Sequence, residues 1–295
     1  MKRSAAEIVR EYGPFAGVDT VHGVTYDGQH VWFASGDKLN AFDPATGKVL
    51  RSIDVAAHAG TAFDGQHLFQ LTEDCIRKID PKTGRVLATI PAPGGGGDSG
   101  LAWAEGTLWV GQYRDRKIHQ VDPQTGAILR TIESNRFVTG VTWIDGELWH
   151  GTWEVDESDL RRVDPRTGEV LEKLEMPPGV NVSGLESDGG DQFFCGGGSS
   201  GKVRTVRRPR RGFAAGSGSE IPVDSTSKSS KRPSRARFTE PLRQEPGRQG
   251  ARPPDGRDAA AGQASTRIVN ASLMRRAMPR LAGPFHRRQD RANSN

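Results

Sequence analysis

Cysteine is nearly absent: Cys75 and Cys195 are the only two among 295 residues. Two thiols cannot build a disulfide framework or a four-thiolate zinc site, so both are read as ordinary buried thiols. No apolar run approaches the roughly 20 residues that a membrane-spanning helix needs, and no membrane partner is expected. The opening stretch MKRSAAEIVREYGPF lacks the apolar core of a secretory signal, because Glu7, Arg10 and Glu11 interrupt it. These absences lead to the expectation of a soluble, cytoplasmic protein. Helical periodicity is missing too. Apolar residues alternate, and glycine and proline punctuate the chain at short intervals, which excludes a helical bundle or solenoid.

What the chain has instead is turn-forming residues, 37 Gly and 18 Pro, and an uneven distribution of charge. Residues 1–207 carry 22 Lys+Arg against 29 Asp+Glu, a net −7, and residues 208–295 carry 19 against 7, a net +12. The overall +5 therefore describes neither part. It gives no reason to assign nucleic-acid binding to the first part.

A repeat organises residues 17–207. Asp43-Pro44-Ala45-Thr46-Gly47 returns as Asp80-Pro81-Lys82-Thr83-Gly84, then as Asp122-Pro123-Gln124-Thr125-Gly126 and Asp164-Pro165-Arg166-Thr167-Gly168. A second landmark precedes each copy and occurs five times: Asp27-Gly28, Asp64-Gly65, Glu105-Gly106, Asp145-Gly146 and Asp188-Gly189. Asp can cap a turn, Pro presets φ, and Gly takes the positive φ that closes a hairpin. Asp-Gly is itself a strong hairpin signal. In the second unit GTAF, HLFQLT, CIRKID and RVLATI then read as four short strands. Four antiparallel strands per roughly 40 residues is the pattern of a propeller blade.

The fifth unit has three strands and stops. The segment Glu7 to Tyr12, EIVREY, is a spare strand at the other end of the chain. Pairing the two closes the ring and removes its open edges. The expected fold is all-β: a five-bladed propeller over 1–211, with units near 17–54, 55–92, 97–133, 136–175 and 180–208. Residues 212–295, rich in Arg, Pro, Gly and Ser and without Trp or Tyr, are read as a disordered tail. The tail is taken as a solvated or read-through extension, and the alternative is a basic arm through which nucleic acid could be bound.

The repeat, the blade count and the spare N-terminal strand resemble the plant and bacterial glutaminyl-peptide cyclotransferase family over about residues 7–207. Local matches are Gln70-Leu71-Thr72 in the second blade, Gly151-Thr152-Trp153-Glu154, and Ser200-Gly201-Lys202 in the last blade. The resemblance implies a five-bladed propeller that converts an N-terminal glutamine into pyroglutamate with loss of ammonia. It implies a pocket role for Trp153 and a functional role for Lys202.

Propeller chemistry gathers at the axis, where each blade's first strand points inward. The matching stretches are Thr20-Val21-His22-Gly23, His58-Ala59-Gly60, Asp98-Ser99-Gly100, Val138-Thr139-Gly140 and Val182-Ser183-Gly184. The family's glutamine, catalytic glutamate, tryptophan and asparagine fall on His22, Ala59, Ser99 and Thr139. Proton transfer needs a positioned titratable group, and His22 or His58 would stand in for the glutamate. The candidate catalytic residues are thus His22, His58 and Lys202. The candidate substrate-binding residues are Ser99, Thr139, Trp153 and Ser183.

Two alternatives stand beside the cyclotransferase reading: a non-catalytic propeller binding a small molecule or peptide, and a lyase- or lactonase-type propeller enzyme. His30, His67 and His119 show no metal-ligand spacing, so neither metal nor cofactor is expected. Asp98, Glu154, Asp156 and Asp159 are read as solvated loop or strand-end acids. Gly94 to Gly97 is read as a rim loop, and Trp32, Trp103, Trp109, Trp143 and Trp149 as packing between blades. A monomer working on a small molecule or peptide in the axial pocket is expected.

Overall fold

The computed structural model describes residues 1–209, and within them every regular element is a β-strand. The tail expected over 212–295 lies outside the described residues. The chain opens with β1 (Lys2–Ala5) and β2 (Ile8–Tyr12). Blade one is β3 (Val24–Tyr26), β4 (Val31–Ala34), β5 (Gly36–Phe42) and β6 (Val49–Ala57). Blade two is β7 (Thr61–Phe63), β8 (Leu68–Leu71), β9 (Cys75–Ile79) and β10 (Val86–Pro91). Blade three is β11 (Asp98–Ala104), β12 (Thr107–Gln112), β13 (Lys117–Val121) and β14 (Ile128–Glu133). Blade four is β15 (Val138–Ile144), β16 (Glu147–Glu154), β17 (Glu157–Val163) and β18 (Val170–Glu175). Blade five is β19 (Gly184–Ser187), β20 (Gln192–Gly196) and β21 (Val203–Arg207), completed by β2 as its outer strand. The fold is a five-bladed β-propeller.

The turn chemistry accounts for the repeat. Asp43 accepts the Ala45 N–H and the Thr46 hydroxyl, both at 2.8 Å. Its own carbonyl accepts the N–H of Gly47, which sits at φ +75°. Asp80, Asp122 and Asp164 cap the equivalent turns. In the other turn Asp27 accepts the N–H groups of Gln29 and His30, and its second oxygen accepts the Trp32 indole N–H at 2.7 Å. One carboxylate thereby fixes both the hairpin and a core aromatic.

The ring closes as the spare strand requires. β2 pairs antiparallel with β21, from Ile8↔Val206 to Tyr12↔Val203. Five apolar clusters fill the five gaps between neighbouring blades. The cluster of Tyr12, Phe15, Phe33, Phe42 and Phe194 seals blade five to blade one. Trp109 stacks on Trp143 at 5.5 Å, and Phe69 on Trp103 at 5.3 Å. Full burial of Phe69 and Trp109 contributes about 2–3 kcal/mol each, and the half-buried Trp103 and Trp143 contribute less. Cys195 is buried, and Cys75 is half-buried with its thiol 3.0 Å from the Thr72 hydroxyl.

Blade four departs from the four-stranded antiparallel plan. β1 adds to β18 as a fifth strand, and in parallel, with Lys2↔Glu172 to Ala5↔Glu175 in register. The Lys2 ammonium lies 3.0 Å from the Glu172 carboxylate. The polar stretch KRSA has no alternating pattern, so nothing local marks it as a strand.

Candidate functional site in the axial cavity

The five inner strands meet at a ring of glycines: Gly23, Gly60, Gly100, Gly140 and Gly184. A Cβ on any of them would collide with the backbone of the next blade. Gly23 abuts Ala59 to Thr61, Gly60 abuts Gly100 and Leu101, and Gly100 abuts Gly140 and Val141. Gly140 abuts Gly184 and Leu185, and Gly184 returns to His22 to Val24, completing the circle. Only glycine permits this approach of five backbones.

On one side of this waist lies a cavity of about 440 Å³. Six of the sequence-selected residues line it: His22, His58, Ser99, Thr139, Trp153 and Ser183. Ala59 lies between them. Two residues past the glycines, on the other side, stand Thr25, Ala62, Ala102, Thr142 and Glu186. Glu186 accepts hydroxyl hydrogen bonds from Thr142 at 2.5 Å and Thr25 at 2.8 Å, joining blades five, four and one.

Lys202 is not among the cavity-lining residues. It precedes β21, and its ammonium lies 3.0 Å from the Glu11 carboxylate of the closing strand. Arg204 shares that carboxylate at 2.5 Å, and the two cations hold it below the usual carboxylate range. The Ser200-Gly201-Lys202 match is therefore local, and the ion pair with β2 determines where the side chain lies.

The two serines are less free than the sequence suggests. The Ser99 hydroxyl is 2.7 Å from the Val138 carbonyl of blade four and 3.0 Å from that of Gly111. The Ser183 hydroxyl is 2.6 Å from the Val21 carbonyl and 2.9 Å from that of His22. Both tie one blade to the next, and what they can offer a ligand is a lone pair. The buried Thr139 hydroxyl, by contrast, has no hydrogen-bond partner among the described residues.

The two imidazoles face each other edge to face, with ring centroids 6.3 Å apart. Burial, with the neighbouring His58 adding to it, lowers the His22 pKa and favours the neutral imidazole. Trp153 sits at the rim, and its carbonyl lies 3.4 Å from the Tyr113 hydroxyl of blade three.

The acids do not behave as solvated strand ends. Asp98 is only 9% exposed and lines the cavity. Its carboxylate accepts the Gly94 N–H at 2.9 Å and the Gln112 side-chain amide at 3.3 Å. Burial outweighs these bonds and raises its pKa, and Asp115 adds in the same direction. Asp159 is buried between Arg161 at 2.6 Å and Lys173 at 3.2 Å. Glu154 is half-buried and paired with Arg116 and Arg136. Asp156 alone stays exposed. A signal for Asp98 was available: it stands two residues before its glycine, the same register that singles out His58 one blade earlier.

Among the described residues no group of three or more His, Cys, Asp or Glu could hold a metal ion. Fold and site together define a five-bladed propeller with an axial cavity whose mainly apolar lining carries a few polar groups. No family model matches the chain, and no curated protein does. Among solved structures the chain resembles a glutaminyl cyclase from Myxococcus xanthus. The TM-score is 0.59 at 18% identity, over 70% of this chain and 97% of that one. That likeness supports the propeller fold.

Proposed function

We propose that the axial cavity acts on the N-terminal end of a peptide by cyclotransferase-type chemistry. The α-amine of an N-terminal glutamine attacks its own side-chain amide carbon. A C–N bond forms to that amine, the bond to the amide nitrogen breaks, and the amine proton leaves with the departing ammonia. The product is pyroglutamate and one ammonia. Holding amine and amide together is most of what such an intramolecular reaction requires, with a titratable group to move the proton. The observation that carries this reading is the pair His22 and His58 facing the cavity beside Ala59, in a fold shared with a glutaminyl cyclase.

A second reading is a propeller that binds a small polar molecule without turnover. Ala59 at the position of the family glutamate favours it, as do the two serine hydroxyls committed to backbone carbonyls. Ammonia release from glutamine-initiated peptides separates the two. Turnover above the spontaneous rate supports the first, and tight binding without release supports the second.

A further inference from the structure

We propose that Asp98 is the anionic anchor of the axial cavity and that the cavity therefore selects ligands bearing a cationic amine. This rests on the axial cavity being the working site and adds the chemical class that site recognises. Three observations carry it.

The first is the lining. Asp98 is its one carboxylate, and no Lys or Arg lines the cavity among the described residues. The second is how the carboxylate is held. The Gly94 N–H takes one oxygen and the Gln112 amide takes the other, which orients the group and leaves further lone pairs for a ligand. Both bonds come from neutral donors, so the charge itself is unpaired, and a buried unpaired charge favours a cationic partner. The third is the setting. Tyr113 and Trp153, residue types whose rings attract cations, also line the cavity. Residues 1–207 carry net −7, which draws cations towards the propeller.

The consequence for chemistry is a relocated proton acceptor. An ammonium held by Asp98 can pass one N–H proton to the carboxylate, and its nitrogen keeps the electron pair for attack. The proton acceptor then comes from the third blade, whose inner strand begins at Asp98. Asp98 and His58 hold equivalent positions in neighbouring blades, two residues before their glycines. Asp98 also borders a second hollow, and the titratable and charged groups around it are Arg114 and Asp115 in that hollow, Tyr113, and the imidazoles of His22 and His58.

The test is binding, so that it stands apart from turnover. Full-length protein is titrated by calorimetry with norvaline amide, which has an ammonium but no side-chain amide to cyclise, and with its N-acetyl derivative, which has no charge. The wild type is expected to bind the charged amine and to discriminate against the acetylated one. Asp98→Asn should weaken binding of the charged amine roughly 10- to 100-fold, the loss of one hydrogen-bonded charge partner. Binding should also weaken as pH falls, through Asp98 taking a proton and the imidazoles of His22 and His58 gaining one, and the Asp98 share of that fall should be missing in Asp98→Asn. A longer norvaline-initiated peptide tells a peptide terminus from a free amine as the source. Absence of any preference for the charged amine in the wild type, including binding of neither, overturns the proposal. So does undiminished affinity in folded Asp98→Asn. Amine binding that depends on Asp98, without ammonia release from glutamine peptides, upholds this inference and removes the cyclotransferase reading.

Discussion

Replacing Glu186 by glutamine is expected to make the propeller more stable at neutral pH and to give its stability a steep acid dependence. Burial raises the Glu186 pKa from its ordinary 4.5 to about 7, against the pull of the Thr142 and Thr25 hydroxyls and the Ser187 N–H. The folded state therefore holds a proton that the unfolded state has lost between pH 4.5 and 7. Stability falls as pH rises through that window, by about 1.4 kcal/mol per pH unit and roughly 3 kcal/mol in all. Glu186 keeps partial exposure, so solvent trims the figure to about 1–3 kcal/mol. His150 works in the opposite sense. It is fully buried, its Nδ1 lies 3.1 Å from the Gly151 carbonyl, and burial lowers its pKa from 6.5 to about 4. The unfolded state binds the extra proton there, and stability falls as pH drops from 6.5 to 4. Between pH 4.5 and 6.5 the two slopes oppose and largely cancel. Glu186→Gln removes one of them. Urea unfolding of wild type and variant from pH 4.5 to 7.5 gives the difference, from which every unchanged group drops out. The difference should grow in the variant's favour by about 1 kcal/mol per pH unit towards pH 7. A difference that does not vary with pH would refute a carboxyl held protonated at the axis.

Two further substitutions test how the ring and the closing strand are held. Gly140→Ala sets a methyl against the Gly184 and Leu185 backbone, where no side chain can yield. It should cost about 3 kcal/mol or more, read as a fall in the urea midpoint, and a loss under about 1 kcal/mol would contradict the glycine waist. Lys202→Ala should lower stability by less than about 1 kcal/mol, since the pair with Glu11 is partly exposed. Ammonia release should be unchanged in that variant, and a large loss of turnover at unchanged stability would return Lys202 to the site.

The scaffold was legible because turn chemistry is local. Asp-Pro-x-Thr-Gly and Asp-Gly carry their own caps and positive-φ glycines, so their spacing gives the blades directly. The closing strand was legible for a different reason: Ile8 to Tyr12 has strand character and the fifth blade lacks one strand. β1 was hidden, because its partner β18 lies some 170 positions away and KRSA shows no pattern. The axial stretches were recognisable from polar-Gly pairs, but the roles of their residues were not. Whether Ser99 and Ser183 face a ligand or a neighbouring carbonyl depends on blade-to-blade distance, which no single strand encodes. Asp98 taken alone has the pattern of a solvated strand-end acid, and only the register it shares with His58 marks it as axial. Lys202 shows the converse, a matching tripeptide whose side chain is captured by Glu11 from the other end of the chain.

The central claim, that the axial cavity acts on an N-terminal glutamine, is tested most directly by mass spectrometry of glutamine-initiated peptides incubated with the full-length chain. The account predicts loss of one ammonia from the peptide, faster than the spontaneous reaction in protein-free buffer at the same pH. No loss above that background, across several peptides and from acid to mildly alkaline pH, would contradict it.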